Sequence, residues 1–509
     1  MHRDTDFDLE TTLPPQGQAL MDDLGLDQLC TAMSGADNEA FVVARAALLL
    51  GLSGPEEIAY RQHVLADCLT HPAVVRELYA LVLETLARQR KIHRGLFLSS
   101  TSAILRGSLE SLHMLIEMLV RMRDLARANS GRFRSEGLAT MFAMLARELD
   151  DAYITQVKAD LAELEFRRGE LMSVGLGTYL TGVGHTLRKP RVTAHPMLDR
   201  LLGTGLPSHG FRIAERDEAG GRILSELKAR GLDKVANAVA QATDNILAFI
   251  ACLRSEVGFY VGCLNLHDRL AAASLPTCRP QICPDPRGMV WARGLYDPGL
   301  CLSGAPAVIG NDIDAGDADI VVITGANQGG KSTFLRALGL SQLMAQAGMF
   351  VAADAYRAPV RTGVFTHFKR QEDASMTSGK LDEELHRMSE IADEVSPGAV
   401  ILFNESFSST NEREGSQIAR EVIRALREAK VRIAFVTHQY DLAHGLQVAG
   451  DEHIVFLRAA RAEDGGRPFR LLPGEPLSTS FGADLYAEIF GQTVARARAD
   501  ESHDALGVP

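Results

Sequence analysis

Apolar residues recur at helical spacing through most of the first half of the chain. EEIAYRQHVLADCLTHPAVVRELYALVLETLARQRKIHRG carries them in the i, i+3, i+4 pattern, and His71–Pro72 marks a turn between two helices. TSAILRGSLESLHMLIEMLVRMRDLARA and LATMFAMLARELDDAYITQVKADLAELEF continue the pattern, and a last long helix is expected from Lys234 to Ala272. Between them, 173–212 is rich in Gly, interrupted by Pro and less regular. Residues 1–36 are polar, contain Pro14–Pro15, and are expected as a flexible N-terminal arm. At 276–306 the texture changes to a Pro-rich junction holding Trp291. From 307 to 495 short β-rich runs (ADIVVIT, AVILFNE, RIAFVTH, EHIVFL) alternate with helices, which predicts a largely parallel α/β sheet. Residues 496–509 read as a polar C-terminal tail. The expected architecture is multidomain: an all-helical domain over 37–275, then an α/β domain.

Composition narrows the partners. The 509 residues are 46% apolar and 23% charged, an ordinary globular balance, and call for more than one core. The net charge of −12 gives no general attraction to nucleic acid or acidic membrane, so any DNA contact has to come from local patches. Seven Cys without a CxxC pair read as reduced thiols, and Cys278 and Cys283 lack further ligands at zinc spacing. The acidic start is unlike a signal peptide, and AFVVARAALLLGL is broken by Arg45 and too short to span a bilayer. A cytoplasmic protein without a membrane role is expected.

DIVVITGANQGGKSTFLRAL carries the strongest chemistry. A strand ends at Ile323, and Gly325, Ala326, Asn327, Gln328, Gly329, Gly330, Lys331 and Ser332, with Thr333 following, fit GxxxxGK[ST] at a helix start. Glycines let successive backbone N–H groups curl round an anion, and the helix N-terminus adds its positive end. Lys331 supplies charge to the β/γ-phosphates of ATP, and the Ser332 hydroxyl can ligate Mg²⁺. A second apolar run ends in Asn404–Glu405. Glu405 can orient or deprotonate the attacking water. Asn404 stands where nucleotide hydrolases commonly carry an Asp for Mg²⁺; its carbonyl can still hold a metal-bound water, without the charge. A third strand ends in Thr437–His438, where the imidazole can polarise a γ-phosphate.

Together these residues resemble the ATPase domain of the MutS family of DNA mismatch-repair proteins. TGANQGGKST is close to the family's TGPNMGGKST, and AQAGMFVAADAYRAPV, FNESFSSTNEREG, FVTH and FGADLYAEIFG are similar to the segments that follow it. Upstream, YRQHVL and SEVGFYVGCLNLHDRL look like the family's lever domain. The resemblance implies an ABC-type ATPase joined to a helical lever, working as a homodimer with ATP sandwiched between subunits, on DNA and with repair-protein partners. It implies a Mg²⁺-dependent ATP hydrolase with Glu405 and His438 catalytic, and the departure at Asn404 makes slow turnover, or use of ATP binding as a conformational switch, the expectation. It also implies that Ser378 and Gly379 reach the partner subunit's ATP, although Leu381–Asp382 replace the family's Ser–Thr. The mismatch-reading and connector domains are expected to be lacking, and any DNA clamp to be small and confined to 173–230.

DNA-binding residues are not assignable from the sequence. Basic clusters at 88–94, 121–134 and 188–191 each read as a solvated helix face before a phosphate contact, and 161–235 holds 12 Lys/Arg against 9 Asp/Glu. Duplex read through backbone and shape, mismatched or branched, is what the resemblance implies. An ATP-gated dimeric protein-interaction switch without DNA is the other reading, and a metabolic kinase would need an acceptor pocket that no residue pattern identifies.

Overall fold

The computed structural model describes residues 2–94, 100–167, 169–189, 210, 212–214, 216–326, 328–370, 379–462 and 466–476. The chain divides into two units, Ala73–Arg134 with Leu138–Arg254, and Met1–Pro72 with Ser135–Gly137 and Ser255–Pro509.

The first of these is helical. Its main helices are Pro72–Arg94, Thr101–Ala128, Glu136–Glu148, Asp151–Leu164 and the part of Glu218–Ala272 up to Arg254. Ser100 caps the second, its side chain accepting from Ala103 N, and Leu105, Leu109, Leu112, Leu119 and Met122 line the buried face at helical spacing. Some cations of the basic clusters expected on helix surfaces are paired inside this unit. Arg88 pairs with Glu117 at 3.0 Å, Arg121 with Glu84 at 2.7 Å and Arg123 with Asp151 at 2.8 Å. In sequence between the helices a hairpin joins β1 (Leu171–Leu176) to β2 (Gly182–Arg188), overlapping the start of the 173–230 stretch where a clamp is expected. Glu218–Ala272 starts earlier than its apolar pattern suggests. By length and composition it could cross a bilayer, but 61% of its most apolar window is buried, as in a core helix.

The other unit holds both larger sheets. Its strands are β3 (Gln281–Cys283), β4 (Trp291–Leu295), β5 (Asn311–Asp314), β6 (Ile320–Thr324), β7 (Ala355–Pro359), β8 (Val364–Phe368), β9 (Val400–Asn404), β10 (Arg432–Val436), β11 (Ile454–Ala459) and β12 (Leu471–Pro473). A four-stranded sheet runs β3-β7-β4-β5, and a six-stranded sheet runs β12-β11-β6-β10-β9-β8 with only β12 antiparallel. Every residue of β6 is buried, the pattern of a parallel strand covered on both faces. Phe403 and Phe435 stack at 4.9 Å in the core under helix Glu412–Glu428. The register pairs Val436 with both Ile323 and Asn404, so β6, β9 and β10 end together at one sheet edge.

Two boundaries differ from the sequence reading. The arm expected over 1–36 contains helices Gly17–Leu24 and Leu26–Ser34, joined at Gly25 in the left-handed conformation. Leu20, Leu24, Leu26 and Met33 are buried, and a Cβ on Gly339 would come within 2.7 Å of Leu402 Cδ1 and 2.9 Å of Leu24 Cδ2. Residues 37–72 and 255–275, expected in the helical domain, belong to the sheet-bearing unit. Leu52 N donates to Gln346 O at 2.8 Å, and Arg61 Nη1 to Ala347 O at 3.2 Å, which ties 52–61 to the end of helix Lys331–Gln346. Leu24→Ala is therefore expected to cost about 2–4 kcal/mol by opening a cavity against that helix. Urea unfolding of this unit checks it, and an unchanged midpoint would contradict the packing role.

Candidate functional site

The loop after β6 turns at Gly325, whose φ of 115° a side chain disfavours and whose Cβ would meet Ala459 N at 2.8 Å. Gly330, also left-handed, caps helix Lys331–Gln346, so Gln328 to Thr333 line a cleft of about 540 Å³ at the strand edge. Lys331 is 5% exposed; its Nζ donates to Gly325 O at 2.9 Å and Ala326 O at 3.1 Å. Burial holds its ammonium below the usual lysine range, against the opposing charge of Glu405.

Ser332 Oγ donates to Asn404 Oδ1 at 2.8 Å, so the end of β9 meets the start of the phosphate-loop helix. Two neutral oxygens at this spacing suit a hard cation that keeps most of its own water, and the donor set fits Mg²⁺. Glu405 has a left-handed φ of 58°, fixed by its N–H donating to Val436 O at 2.9 Å. Its carboxylate takes a short hydrogen bond from His438 Nδ1. Burial pushes the Glu405 carboxyl up, but the His438 bond and the charges of His438, Lys331 and Lys369 hold it below its ordinary value. The same bond raises His438 above the usual imidazole value, against desolvation.

The structure thus brings together Gly325, Ala326, Gln328, Gly329, Gly330, Lys331, Ser332, Thr333, Asn404, Glu405 and His438. Gly379 is elsewhere, as the N-cap of helix Lys380–Glu394. Asn327, Ser378 and the helix expected from FGADLYAEIFG lie outside the described residues.

Several site residues escaped the sequence reading. Leu300, Ala305, Pro306, Ala307 and Ile309 form an apolar cleft wall, faced by Phe469. The short helix Pro298–Leu302 is fixed by Asp297, wholly buried, which caps Gly299 N at 2.8 Å and accepts from Arg336 Nε at 2.9 Å. Asp297–Pro298 is a helix-start signature that could have been found. Arg467 Nη1 donates to Gln328 Oε1 at 2.8 Å, so a second cation flanks the phosphate loop. No local pattern announces it.

The family model described as the MutS2 N-terminal domain matches residues 53–273, and the one described as MutS domain V matches 321–483. The DNA mismatch repair protein MutS of Thermus aquaticus is 35% identical over 194 residues, covering 37% of this chain and 23% of that protein. Endonuclease MutS2 of Lacticaseibacillus paracasei is 26% identical over 447 residues, 84% of this chain and 51% of that protein. Endonuclease MutS2 of Streptococcus equi subsp. equi is 31% identical over 144 residues, covering 28% and 18%. The chain thus spans about half the length of one such relative and about a quarter or less of the others. The second of the two matched segments holds the phosphate loop and Glu405, with Asn404 bonded to Ser332 and His438 to Glu405, and with both segments matched in order the chain belongs to the MutS family.

Proposed function

We infer that this protein is an ATP hydrolase whose nucleotide cycle is coupled to DNA repair or recombination. The convergence of Lys331, Ser332 and Glu405 on one cleft, with Asn404 bonded to Ser332 and His438 to Glu405, is the observation that supports it. The apolar wall and Phe469 receive the base, and the loop N–H groups with Lys331 hold the phosphates. Ser332 and Asn404 would hold Mg²⁺, which when bound supplies positive charge to the β- and γ-phosphate oxygens. Glu405 orients the water for in-line attack and takes its proton, and His438 steadies that carboxylate.

Asn404 sets the rate. A neutral amide contributes less to cation binding than a carboxylate, so slow turnover follows, and long-lived bound ATP serves as a conformational signal. DNA as partner accords with the relatives' names, and a dimer closing on two nucleotides and the helical unit acting as a lever rest on the resemblance to the MutS family. The engagement of Arg88, Arg121 and Arg123 with acids in the helical unit favours a second reading, a nucleotide-gated switch that contacts proteins.

One assay separates these readings: Mg²⁺-dependent release of phosphate from ATP, with and without perfect, mismatched and branched duplexes. Turnover that changes with one DNA form is expected. Turnover indifferent to every DNA form, with no DNA bound in any nucleotide state, would leave the switch. In the same assay Asn404→Asp is expected to lower the Mg²⁺ needed for half-maximal rate by about tenfold, since a charged ligand is restored beside Ser332. An unchanged Mg²⁺ requirement would remove Asn404 from the metal site.

A further inference from the structure

Glu405 leads into a loop of unusual backbone. Glu405 and Phe407, neither of them glycine, both take a φ of 58°, in the left-handed region. Such residues persist only where their surroundings fix them. Beyond the bond of Glu405 N–H to Val436 O, further fixing comes from outside the site residues already named. Glu384, on helix Lys380–Glu394, is 2% exposed. Its Oε2 accepts from Phe407 N at 2.6 Å and its Oε1 from Ser409 Oγ at 2.8 Å.

The same helix reaches the loop by a second route. Glu384 O is 2.9 Å from His367 Nε2, and His367 Nδ1 is 2.7 Å from Ser406 Oγ. His367 is wholly buried and stacks on Phe407 with ring centres 5.3 Å apart. From the other side, Gln439 Nε2 donates to Phe407 O at 3.1 Å, and Gln439 follows His438 directly. The loop after Glu405 is therefore held between helix Lys380–Glu394 and the segment that carries His438. Without Glu384, the buried Phe407 N–H loses its acceptor, a loss that the native arrangement avoids.

We propose that Glu384 is a positioning residue for hydrolysis, holding the left-handed loop through Phe407 and Ser409 so that Glu405 faces its water. It touches neither nucleotide nor water, and acts through the backbone. The inference rests on the hydrolase reading above. It also links helix Lys380–Glu394, which begins right after Gly379, to the pose of the catalytic carboxylate in the same chain.

The test compares wild type, Glu384→Ala, Glu384→Gln and Ser409→Ala in ATP turnover, nucleotide affinity and amide hydrogen exchange. A misplacement of the base of about 1 Å is expected to lower kcat about 10²-fold in Glu384→Ala, with nucleotide affinity within about threefold of wild type. Glu384→Gln keeps an acceptor for Phe407 N and is expected to recover most of kcat. Ser409→Ala, which loses one of the two contacts, falls between them. Exchange at 405–411 rises in Glu384→Ala while that of β6 does not, a readout independent of turnover. Unchanged kcat or unchanged exchange at 405–411 in Glu384→Ala overturns this inference alone. Global loss of protection there would implicate folding, and Ser409→Ala, on the part-buried side of the loop, then decides: unchanged kcat and exchange overturn the proposal. A wild type that binds ATP without turning it over overturns the hydrolase reading and the positioning role with it.

Discussion

Lys331→Met binds ATP at least about 10²-fold more weakly than wild type. The side chain lies in the floor of the cleft, 5% exposed, with its ammonium on the carbonyls of Gly325 and Ala326. Hydrogen bonds to a charged group contribute about 1.5–3 kcal/mol each, so two such bonds to phosphate oxygens account for a loss of that size. Burial already destabilises the free ammonium, which makes an anionic partner more favourable than it would be in water. Met fills a similar volume, so the helix that starts here stays in place. Titration with a fluorescent nucleotide analogue, alongside a circular dichroism melt, checks this. Affinity within twofold of wild type at unchanged melting would mean that the cleft does not bind phosphate through Lys331.

How much of this was legible in the sequence depended on how local each signal is. The phosphate loop was readable because its chemistry, its glycines and its flanking strand and helix all lie within twenty residues. Asn404, Glu405 and His438 were readable as strand ends, because parallel strands in register bring their C-terminal ends to one edge. Helices Gly17–Leu24 and Leu26–Ser34 were not. Each is too short to be stable alone, and they exist because Leu24 and its neighbours pack against a helix some three hundred residues later. Glu384 was hidden for a different reason. It sits in the acidic run Asp382-Glu383-Glu384, which reads as a solvated helix face, and only the tertiary arrangement turns its carboxylate inward. Arg121 errs the other way: in the sequence it is part of a basic cluster, but the acid it pairs with, Glu84, comes from another helix.

Glu405→Gln is expected to lower kcat by about 10²–10³-fold while leaving nucleotide affinity within about threefold of wild type. The amide is isosteric, and its oxygen can still accept from His438, so the left-handed turn at Glu405 and the bond of its N–H to Val436 O persist. What is lost is the group that can take a proton from water. The acid side of the pH–rate profile gives a second, sharper test. Glu405 must be ionised to act as a base, so turnover falls as pH drops through its pKa. Burial alone pushes that pKa up, and His438, with Lys331 and Lys369, brings it below the ordinary glutamate value. In His438→Ala the largest of the lowering influences is gone, and burial is opposed by the two lysines only. The acid limb of the variant therefore moves to higher pH than that of wild type. Phosphate release measured across the acid range at saturating ATP and Mg²⁺ reads this directly. A limb that stays in place, or moves down, would mean that the Glu405–His438 pair does not set the protonation of the group that limits hydrolysis.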